Sequence, residues 1–391
     1  MQVPAPRLRV AIVGCGDVAH RHYLPPLAAL ADRAEIVGCC DVRLESAERL
    51  AAAFGLAAAF GLAAPEATPP APAFDDLDEM LRQVRPDAVF NLTPAPLHAS
   101  VTSACLAAGA HVYSEKPIGA TIAEADRLIA EAGAAGRLLM CATASAATRQ
   151  IRWLREVLDS GRLGRPTLAV AQCAGMGPAD WAAYTGDPTV FYTPAVGPVR
   201  DIGIYRLHEL TALLGPVRRV SAIGAIAIPE RTVLGGPRAG QKIAVTTPDH
   251  VLMQLEFASG ALGQLLSSFA TPATQAPWLE IHLTSGSISF SGDQYAADSS
   301  ASFFVRSDAP AADPAGSSGA FAPGWNHGLT PPPPADRFPL IGRGPEHFLA
   351  CLAGEEKPIL TAEHARHVLE IVLLAYESIA AGCARELTTT F

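Results

Sequence analysis

Near its start the chain has an apolar strand that leads into a glycine-rich turn, and this feature limits the folds that the chain can adopt. Residues 8–13 read Leu-Arg-Val-Ala-Ile-Val and lead into Gly14-Cys-Gly16-Asp17-Val18-Ala19. Gly14 permits a tight turn, Gly16 lets the backbone approach a phosphate, and Ala19 lets the next helix pack on the strand. A helix predicted over 18–31 would point its free N–H groups at the anion. The pattern predicts a Rossmann-type pocket for a dinucleotide, with Asp17 and Val18 beside it.

The second predicted strand ends in a carboxylate suited to the adenosine ribose. Glu35-Ile-Val-Gly-Cys-Cys-Asp41 places this acid about 25 residues after Gly16, near the spacing at which an acid binds the ribose hydroxyls. Asp41 would repel a 2′-phosphate, which favours NAD over NADP. Arg43 leaves an alternative open, because a guanidinium can stack on adenine or meet a phosphate.

The length and the net charge of the chain limit the classes of function that it can have. A chain of 391 residues is too long for one ordinary core, so we expect two domains, over 1–143 and 144–391. The formal net charge of -9 provides no electrostatic reason to bind nucleic acid or an anionic membrane. We therefore expect small-molecule partners. As a separate expectation, the protein is a homo-oligomer, either a dimer or a tetramer. No secretory signal or spanning segment is visible and the eight cysteines lack a Cys-x-x-Cys pair, which predicts a cytoplasmic protein with reduced thiols.

Strand and helix signals alternate up to about residue 140. Strands are predicted over 87–93 and 111–115, and helices over 97–109 and 122–136. This alternation predicts an α/β domain with a doubly wound parallel sheet.

Later strand-like segments follow one another with few helices between them. They lie at 167–173, 219–227, 250–257, 263–269 and 279–283, and a closing helix is predicted over 363–381. The pattern predicts an α+β domain on a large, mostly antiparallel sheet, with substrate in the cleft beside the Rossmann domain. The Ala-, Pro-, Gly- and Ser-rich stretch 307–334 is expected to be a mobile surface loop.

Three further clusters carry a family resemblance. They are Thr93-Pro-Ala-Pro-Leu-His98, Ser114-Glu115-Lys116-Pro117 and Gly197-Pro-Val-Arg-Asp201-Ile-Gly-Ile-Tyr205. In this order behind the glycine turn, they resemble the glucose–fructose oxidoreductase / inositol dehydrogenase / MocA family over nearly the whole chain. The resemblance implies NAD(H) or NADP(H) and reversible oxidation of a secondary alcohol on a sugar, cyclitol or related polyol. It also implies that Thr93, His98 and Glu115 lie near the cofactor and that a cis bond precedes Pro117. A capping or packing histidine is the alternative for His98.

Lys116 is the best candidate for handling the substrate proton. Hydride transfer from a carbinol carbon requires the hydroxyl proton to leave, so a titratable group must lie within about 3 Å of that oxygen. Lys116 follows a central parallel strand, which places it at the carboxyl edge where cofactor and substrate meet. Partial burial beside an oxidised nicotinamide would lower its pKa. A surface lysine at a strand end is the alternative.

A second cluster leaves the identity of the base open. Asp201 and Tyr205 are four residues apart, so on a helix they share a face and can address one ligand. The family usually shows Asp-x-x-x-His, and Tyr205 departs from it. A phenol with a pKa of about 10 is a poor base unless a cation such as Lys116 lowers that value. His208, one turn further on, is an alternative imidazole.

An aromatic run precedes Asp201 and is a candidate platform for a sugar ring. It comprises Trp181, Tyr184, Phe191 and Tyr192, of which Tyr184 and Tyr192 are the predicted substrate contacts. Hydrophobic core is the alternative. His364 and His367 share a predicted helix face but have no third ligand at a suitable spacing, so no metal site is predicted.

Two classes of function follow. The leading hypothesis is an NAD(P)-dependent dehydrogenase or reductase acting on a polyol or keto-sugar. The alternative uses the same fold without net redox change, as a lyase or glycosidase that regenerates bound NAD, or as a non-catalytic cofactor sensor.

Overall fold

The computed structural model describes residues 7–59, 70–184, 186–292, 300–305 and 336–391, which belong to two structural units. The first unit comprises Met1–Thr148, Asp336–Ile371 and Thr389–Phe391, and the second comprises Arg149–Ala335 and Val372–Thr388. The sequence-based division at 143/144 did not anticipate that residues 336–371 return to the first unit.

The first unit contains a six-stranded parallel sheet in the order β3-β2-β1-β4-β5-β6. Its elements up to residue 148 are β1 Leu8–Val13, α1 Leu24–Ala29, β2 Ala34–Cys40, α2 Leu44–Ala59, β3 Ala73–Phe74, α3 Leu77–Val84, β4 Ala88–Asn91, α4 His98–Ala107, β5 His111–Ser114, α5 Ile122–Ala135 and β6 Leu139–Cys141. The predicted doubly wound sheet is confirmed. The strand order reverses between β1 and β4, and ligands of such sheets bind at the carboxyl ends beside this switch point.

The helix after the glycine turn is less regular than the expected single helix over 18–31. A π-helix over Ala19–Tyr23 is followed by the short α1. Pro25 and Pro26 lie in the first turn of α1 and have no N–H to continue the bonding of the preceding turn. The extra residue of a π turn accommodates that break, and Leu30 ends α1 after six residues.

The second unit is built on an eight-stranded mixed sheet in the order β15-β14-β13-β7-β12-β11-β8-β16. Elements from residue 149 onward are α6 Arg149–Asp159, β7 Pro166–Ala174, α7 Ile204–Leu214, β8 Val217–Ala225, β9 Glu230–Thr232, β10 Lys242–Ala244, β11 His250–Phe257, β12 Leu262–Ser268, β13 Leu279–Leu283, β14 Gly286–Ser291, β15 Ser300–Val305, α8 Arg343–Leu352, α9 Ala362–Ala381 and β16 Arg385–Glu386. Only β7 and β12 pair in parallel among these described strands. The predicted mostly antiparallel sheet is confirmed, and the segment 307–334 lies outside the described residues.

Aromatic packing explains why α8 belongs to the first unit. The ring of Phe348 lies 5.5 Å from that of Phe90 in β4 and 5.7 Å from that of Tyr113 in β5. Thr361 forms a β-bridge with Met140 of β6. These side chains and this bridge are far apart in sequence, so no local pattern indicated the return.

Two further observations concern membrane-spanning helices and the state of the cysteines. Among the described residues, no helix has both the length and the apolar character needed to cross a membrane. The eight cysteines are free thiols, and six of them are buried.

Candidate active site

The glycine turn is closed towards β4 and open at its second glycine. Gly14 has a φ of +90°, and a Cβ there would lie 2.6 Å from the carbonyl carbon of Leu92 and from the amide nitrogen of Thr93. Only glycine fits such a position. A Cβ on Gly16 would meet no atom within 4 Å. Together with the exposed Asp17 and Val18 at the following helix start, this turn fits the pyrophosphate of a dinucleotide.

The cysteine within the turn adds no charge to this anion site. The pKa of the Cys15 thiol is raised, mainly by a hydrogen bond with Cys39 and next by burial. Burial likewise raises the pKa of Cys40 to about 12. Both side chains are therefore neutral thiols near pH 7, and the turn carries no thiolate that would repel a pyrophosphate.

A cavity of about 400 Å³ lies beside the turn at the carboxyl ends of β1, β2 and β4. Gly14, Thr93, Leu97 and Val101 contribute to its lining. The remaining lining includes four aspartates: Asp41, Asp75, Asp76 and Asp78. The cavity thus combines an apolar side suited to adenine with an acidic side suited to ribose hydroxyls.

Asp41 occupies the place expected of the ribose-binding acid. Its Oδ2 accepts a hydrogen bond of 2.9 Å from the Cys15 N–H, and its Oδ1 accepts one of 3.0 Å from the Arg43 N–H. Arg43 itself has a side chain that is 73% exposed, with Nε 3.8 Å from Asp41 Oδ1. The carboxylate is therefore held against the glycine turn by backbone donors, while the guanidinium lies mainly in solvent.

Sequence reasoning missed the two neighbouring aspartates. Asp75 and Asp76 directly follow β3, a strand of two residues that pairs with Cys39 and Cys40. Asp76 also caps α3 by accepting a 2.7 Å hydrogen bond from the Glu79 N–H. The Asp-Asp pair before a helix was the available signal, but a two-residue strand has no periodicity that could have placed it at this edge.

The Glu115-Lys116-Pro117 turn follows β5 at the same edge of the sheet. The Glu115 N–H donates to Asn91 O of β4 over 2.9 Å, and the bond between Lys116 and Pro117 is cis, as the resemblance implied. The Glu115 carboxylate accepts hydrogen bonds from the Tyr23 hydroxyl at 2.6 Å and from the Lys116 N–H at 3.0 Å. Lys116 is half-buried on a turn whose main chain is anchored.

His98 is buried beside the cavity, in contact with Thr93 of its lining. It is 1% exposed, with Nδ1 2.6 Å from Pro117 O and Nε2 2.7 Å from Thr93 O. Asn91 donates to His98 O over 3.0 Å, and its Oδ1 accepts from the Thr93 hydroxyl over 2.7 Å. Both imidazole nitrogens lie against main-chain carbonyls, so the ring organises the turn, and a contact between His98 and the cofactor stays a prediction.

In the second unit, Asp201 and Tyr205 lie on one helical segment. A π-helix over Val199–Gly203 leads directly into α7. Asp201 and Tyr205 are half-buried, and His208 is buried further along α7. A Cβ on Gly203 would lie 2.8 Å from Ser267 Oγ of β12, so glycine allows the π turn to pass close to the sheet. The extra residue of that turn changes the regular four-residue face that the sequence suggested.

The segment before Asp201 is fastened to α9. The Arg200 guanidinium lies 4.4 Å from the centroid of the Tyr376 ring and donates to Pro194 O over 3.0 Å. The Tyr376 hydroxyl donates to Val196 O over 3.3 Å. A Cβ on Gly197, where φ is +66°, would lie 2.5 Å from that hydroxyl. The Gly-Pro-Val-Arg motif therefore shapes the approach to Asp201.

The aromatic run divides into a surface part and a core part. Trp181 is 50% exposed, its ring centroid lies 6.0 Å from that of Tyr184, and Tyr184 lies 5.9 Å from Phe191. Tyr192 is fully buried among residues that include Phe269. Its hydroxyl accepts a 3.0 Å hydrogen bond from the Ala179 N–H, and burial raises its pKa to about 12. The expected substrate contact at Tyr192 is corrected to a core residue, while Tyr184 keeps an accessible position.

The two histidines of α9 anchor the chain end. The His364 ring stacks on Phe391 at 4.2 Å, and His367 Nδ1 lies 2.9 Å from Thr389 Oγ1. Burial lowers the pKa of each to about 4, so both rings are neutral near pH 7. Within the described ranges, no three His, Cys, Asp or Glu side chains are grouped to hold a metal ion.

A parallel sheet with a glycine turn, an acidic pocket and a lysine at its carboxyl edge defines a dinucleotide-binding protein. Two profiles of known protein families match this chain. The profile described as "Oxidoreductase family, NAD-binding Rossmann fold" matches residues 8–143, and the "GFO/IDH/MocA C-terminal domain" matches residues 151–289. The chain belongs to the GFO/IDH/MocA family of oxidoreductases, which confirms the resemblance.

Similar proteins include enzymes that act on sugars. A dTDP-3,4-didehydro-2,6-dideoxy-α-D-glucose 3-reductase of Streptomyces antibioticus is 32% identical, over 72% of this chain and 82% of the relative. A D-glucoside 3-dehydrogenase of Escherichia coli is 29% identical, over 67% and 70% of the two chains.

Solved structures show the same fold. An NAD-binding oxidoreductase of Klebsiella pneumoniae has a TM-score of 0.77 at 19% identity, covering 98% of this chain and 99% of the other. The WlbA dehydrogenase of Bordetella pertussis, solved with NADH and UDP-GlcNAcA, has a TM-score of 0.71 at 20% identity and covers 99% of each chain.

Proposed function

We propose that this oxidoreductase uses NAD(H) to interconvert the alcohol and ketone at carbon 3 of a hexose ring. The observation that carries the proposal is Lys116, held on an anchored turn at the sheet edge that also bears the glycine turn. The position on the sugar is supported by two relatives named for carbon 3. Bound nicotinamide supplies the hydride acceptor or donor. Lys116 takes the hydroxyl proton during oxidation and returns it during reduction.

The composition of the chain supports a proton-transfer role for Lys116. Of 29 basic residues, only three are lysines, at positions 116, 242 and 357. An ammonium can release its proton when its surroundings lower its pKa, whereas a guanidinium stays charged in proteins. A lysine in this place thus supplies chemistry that the arginines used elsewhere do not.

Asp201 and Tyr205 are proposed to assist the proton transfer by Lys116, and Tyr184 is proposed to contact the sugar.

Isotope transfer tests the function and the carbon together. Methyl glucosides deuterated at carbon 2, 3 or 4 are incubated with the protein and NAD⁺, and the reduced cofactor is analysed by mass spectrometry. We expect deuterium in NADH only from the carbon-3 label. Glycoside turnover without net NADH indicates a redox-neutral lyase or glycosidase, and NAD binding without turnover of any sugar or cyclitol indicates a sensor.

NAD is proposed as the preferred cofactor because of the acidic cavity. Four aspartates line it, and the 2′-phosphate of NADP would bring a dianion among them. We expect kcat/KM for NAD to exceed that for NADP by about tenfold or more, since like charges in a partly dry site cost several kcal/mol. Asp41→Ser should narrow this ratio. Asp159→Ser, which removes an exposed carboxylate paired with Arg155, is the control. A wild-type preference for NADP would show that Arg43 outweighs the aspartates.

Self-association is proposed through one face of the eight-stranded sheet. The strand register aligns Ile223, Leu252 and Leu266 in one row across β8, β11 and β12. Ile223 is 69% exposed, and Leu262, which lies four residues from Leu266 on β12, is 53% exposed. Such apolar side chains suit a second copy of the chain. Analytical ultracentrifugation should show a dimer or tetramer that Ile223→Arg dissociates, whereas a monomeric wild-type protein would refute the proposed self-association.

We also propose that the protein works in a reducing compartment such as the cytoplasm, which its free thiols support.

A further inference from the structure

We infer that Tyr23 and His98 are positioning residues that hold the Glu115-Lys116-Pro117 turn from two sides. They fix the position of the backbone from which the Lys116 side chain extends. The inference rests on the proposed function in one respect, because it takes Lys116 as the proton-transfer group. Neither residue needs to touch cofactor or substrate. Each acts through an atom of the turn.

Tyr23 fixes the turn through the Glu115 carboxylate. The hydroxyl donates to Glu115 Oε1 over 2.6 Å, while Oε2 of the same carboxylate accepts the Lys116 N–H over 3.0 Å. Hydrogen bonds to an ionised carboxylate are shorter and stronger than neutral ones. Because one rigid carboxylate joins both donors, the position of the Tyr23 hydroxyl is transmitted to the backbone nitrogen of Lys116.

The Tyr23 side chain is itself immobilised. It is fully buried, and its ring lies 5.9 Å from that of Phe90 in β4 and 6.2 Å from that of Tyr113 in β5, both in edge contacts. Tyr23 ends the π-helix that follows the glycine turn. The phenol therefore links the segment after the dinucleotide turn with the residue preceding Lys116.

His98 fixes the other end of the turn. Its Nδ1 lies 2.6 Å from Pro117 O, and its Nε2 lies 2.7 Å from Thr93 O. A neutral imidazole donates only one of these bonds, whereas an imidazolium donates both. The imidazolium bonds to both the Pro117 carbonyl and the Thr93 carbonyl, whereas the neutral ring bonds to one of them and packs against the other. The buried Asn91 in turn holds the segment that follows β4, by bonding to His98 O and to the Thr93 hydroxyl.

The need for two anchors follows from the chemistry of proton transfer. Lysine has a flexible four-carbon stem, so its amine can be placed only if the backbone that carries it does not move. Misplacement of a reacting group by about 1 Å can lower the rate about 10²-fold. Loss of one anchor leaves the other in place, so we expect smaller losses from single substitutions.

The first test compares two tyrosine-to-phenylalanine variants in the same aromatic cluster. Tyr23→Phe removes the hydroxyl that bonds to Glu115. Tyr113→Phe removes one from a neighbouring buried ring whose hydroxyl lies against Gly344 of α8. We expect Tyr23→Phe to lower kcat about tenfold, with little change in the NAD dissociation constant. Tyr113→Phe should keep the wild-type kcat.

The second test reads Lys116 directly and needs no turnover. Because the chain has three lysines, reductive ¹³C-dimethylation yields three resolvable lysine signals besides that of the α-amino group, and Lys116→Arg identifies the one from residue 116. We expect Tyr23→Phe to change the chemical shift and titration midpoint of this signal alone. Tyr113→Phe should leave it unchanged. This readout stays valid if no sugar is turned over, a result that would defeat the proposed function only.

His98→Leu and His98→Gln complete the design. The leucine removes both contacts and should move the Lys116 signal and lower kcat, whereas the glutamine keeps an N–H donor and should recover part of both. If these variants and Tyr23→Phe lower only the melting temperature, with kcat and the Lys116 signal as in wild type, the two residues are structural and the inference is wrong.

Discussion

Replacement of Lys116 by methionine should lower turnover by about 10³-fold while the protein still folds and binds NAD. Methionine keeps the length and apolar stem of the side chain but cannot take or return a proton, and positioned acid–base groups contribute about 10²–10⁴-fold. Steady-state kcat and a fluorescence titration of NADH separate catalysis from binding. Lys357→Met, which removes an exposed lysine of the same unit, should behave as wild type.

Lys116→Arg separates charge from proton transfer. An arginine keeps a positive charge but cannot be deprotonated in a protein. If Lys116 acts by releasing and accepting a proton, the arginine variant should be nearly as inactive as the methionine variant. Turnover near the wild-type level in either variant would show that another group moves the proton.

Removal of the Tyr205 hydroxyl should lower turnover about 10²-fold, the second largest effect we expect. Tyr205→Phe keeps the ring and its packing, so folding and NAD binding should survive while a proton-transfer group is lost. Tyr113→Phe serves as the matched control here as well. A phenylalanine variant with full activity would make Tyr205 a packing residue and leave Lys116 or His208 as the proton acceptor.

Tyr205→His restores the residue usual in the family and should shift the pH profile. In the oxidation direction the base must be unprotonated, so kcat/KM rises with pH through the pKa of that base and then levels off. An imidazole titrates at about 6.5 and a phenol at about 10. If Tyr205, in assisting Lys116, is the group whose titration sets this limb, the histidine variant should retain activity, with the rising limb at lower pH than in wild type. An unchanged limb would assign it to a group other than Tyr205.

The dinucleotide half of the site was accessible from the sequence because local residue chemistry encodes it. Gly14 is required by its own positive φ and by the close approach of the residues that follow β4. Asp41 directly follows the strand β2, which its apolar residues reveal. The Glu115-Lys116-Pro117 turn was placed by the same reasoning, since it directly follows the buried strand β5. Motif and strand lie within a few residues of each other in these cases.

The composition of the acidic cavity required the tertiary structure. Asp75 and Asp76 join Asp41 only because the two-residue strand β3 pairs with the end of β2. That pairing spans more than 30 residues of chain, and it consists of two residue pairs. A strand of this length leaves no period in the sequence.

What the sequence alone determined was the family, the parallel sheet and the position of each motif along the chain. Only the tertiary structure decided which neighbours those motifs have. The sequence left Tyr192 as either a substrate contact or a core residue, and the structure buries it in the core. The sequence also did not show that both ring nitrogens of His98 lie against main-chain carbonyls. Tyr23 bonds to Glu115 across 92 positions. Short motifs set local backbone geometry, whereas contacts between distant residues depend on how all elements pack, which no local pattern specifies.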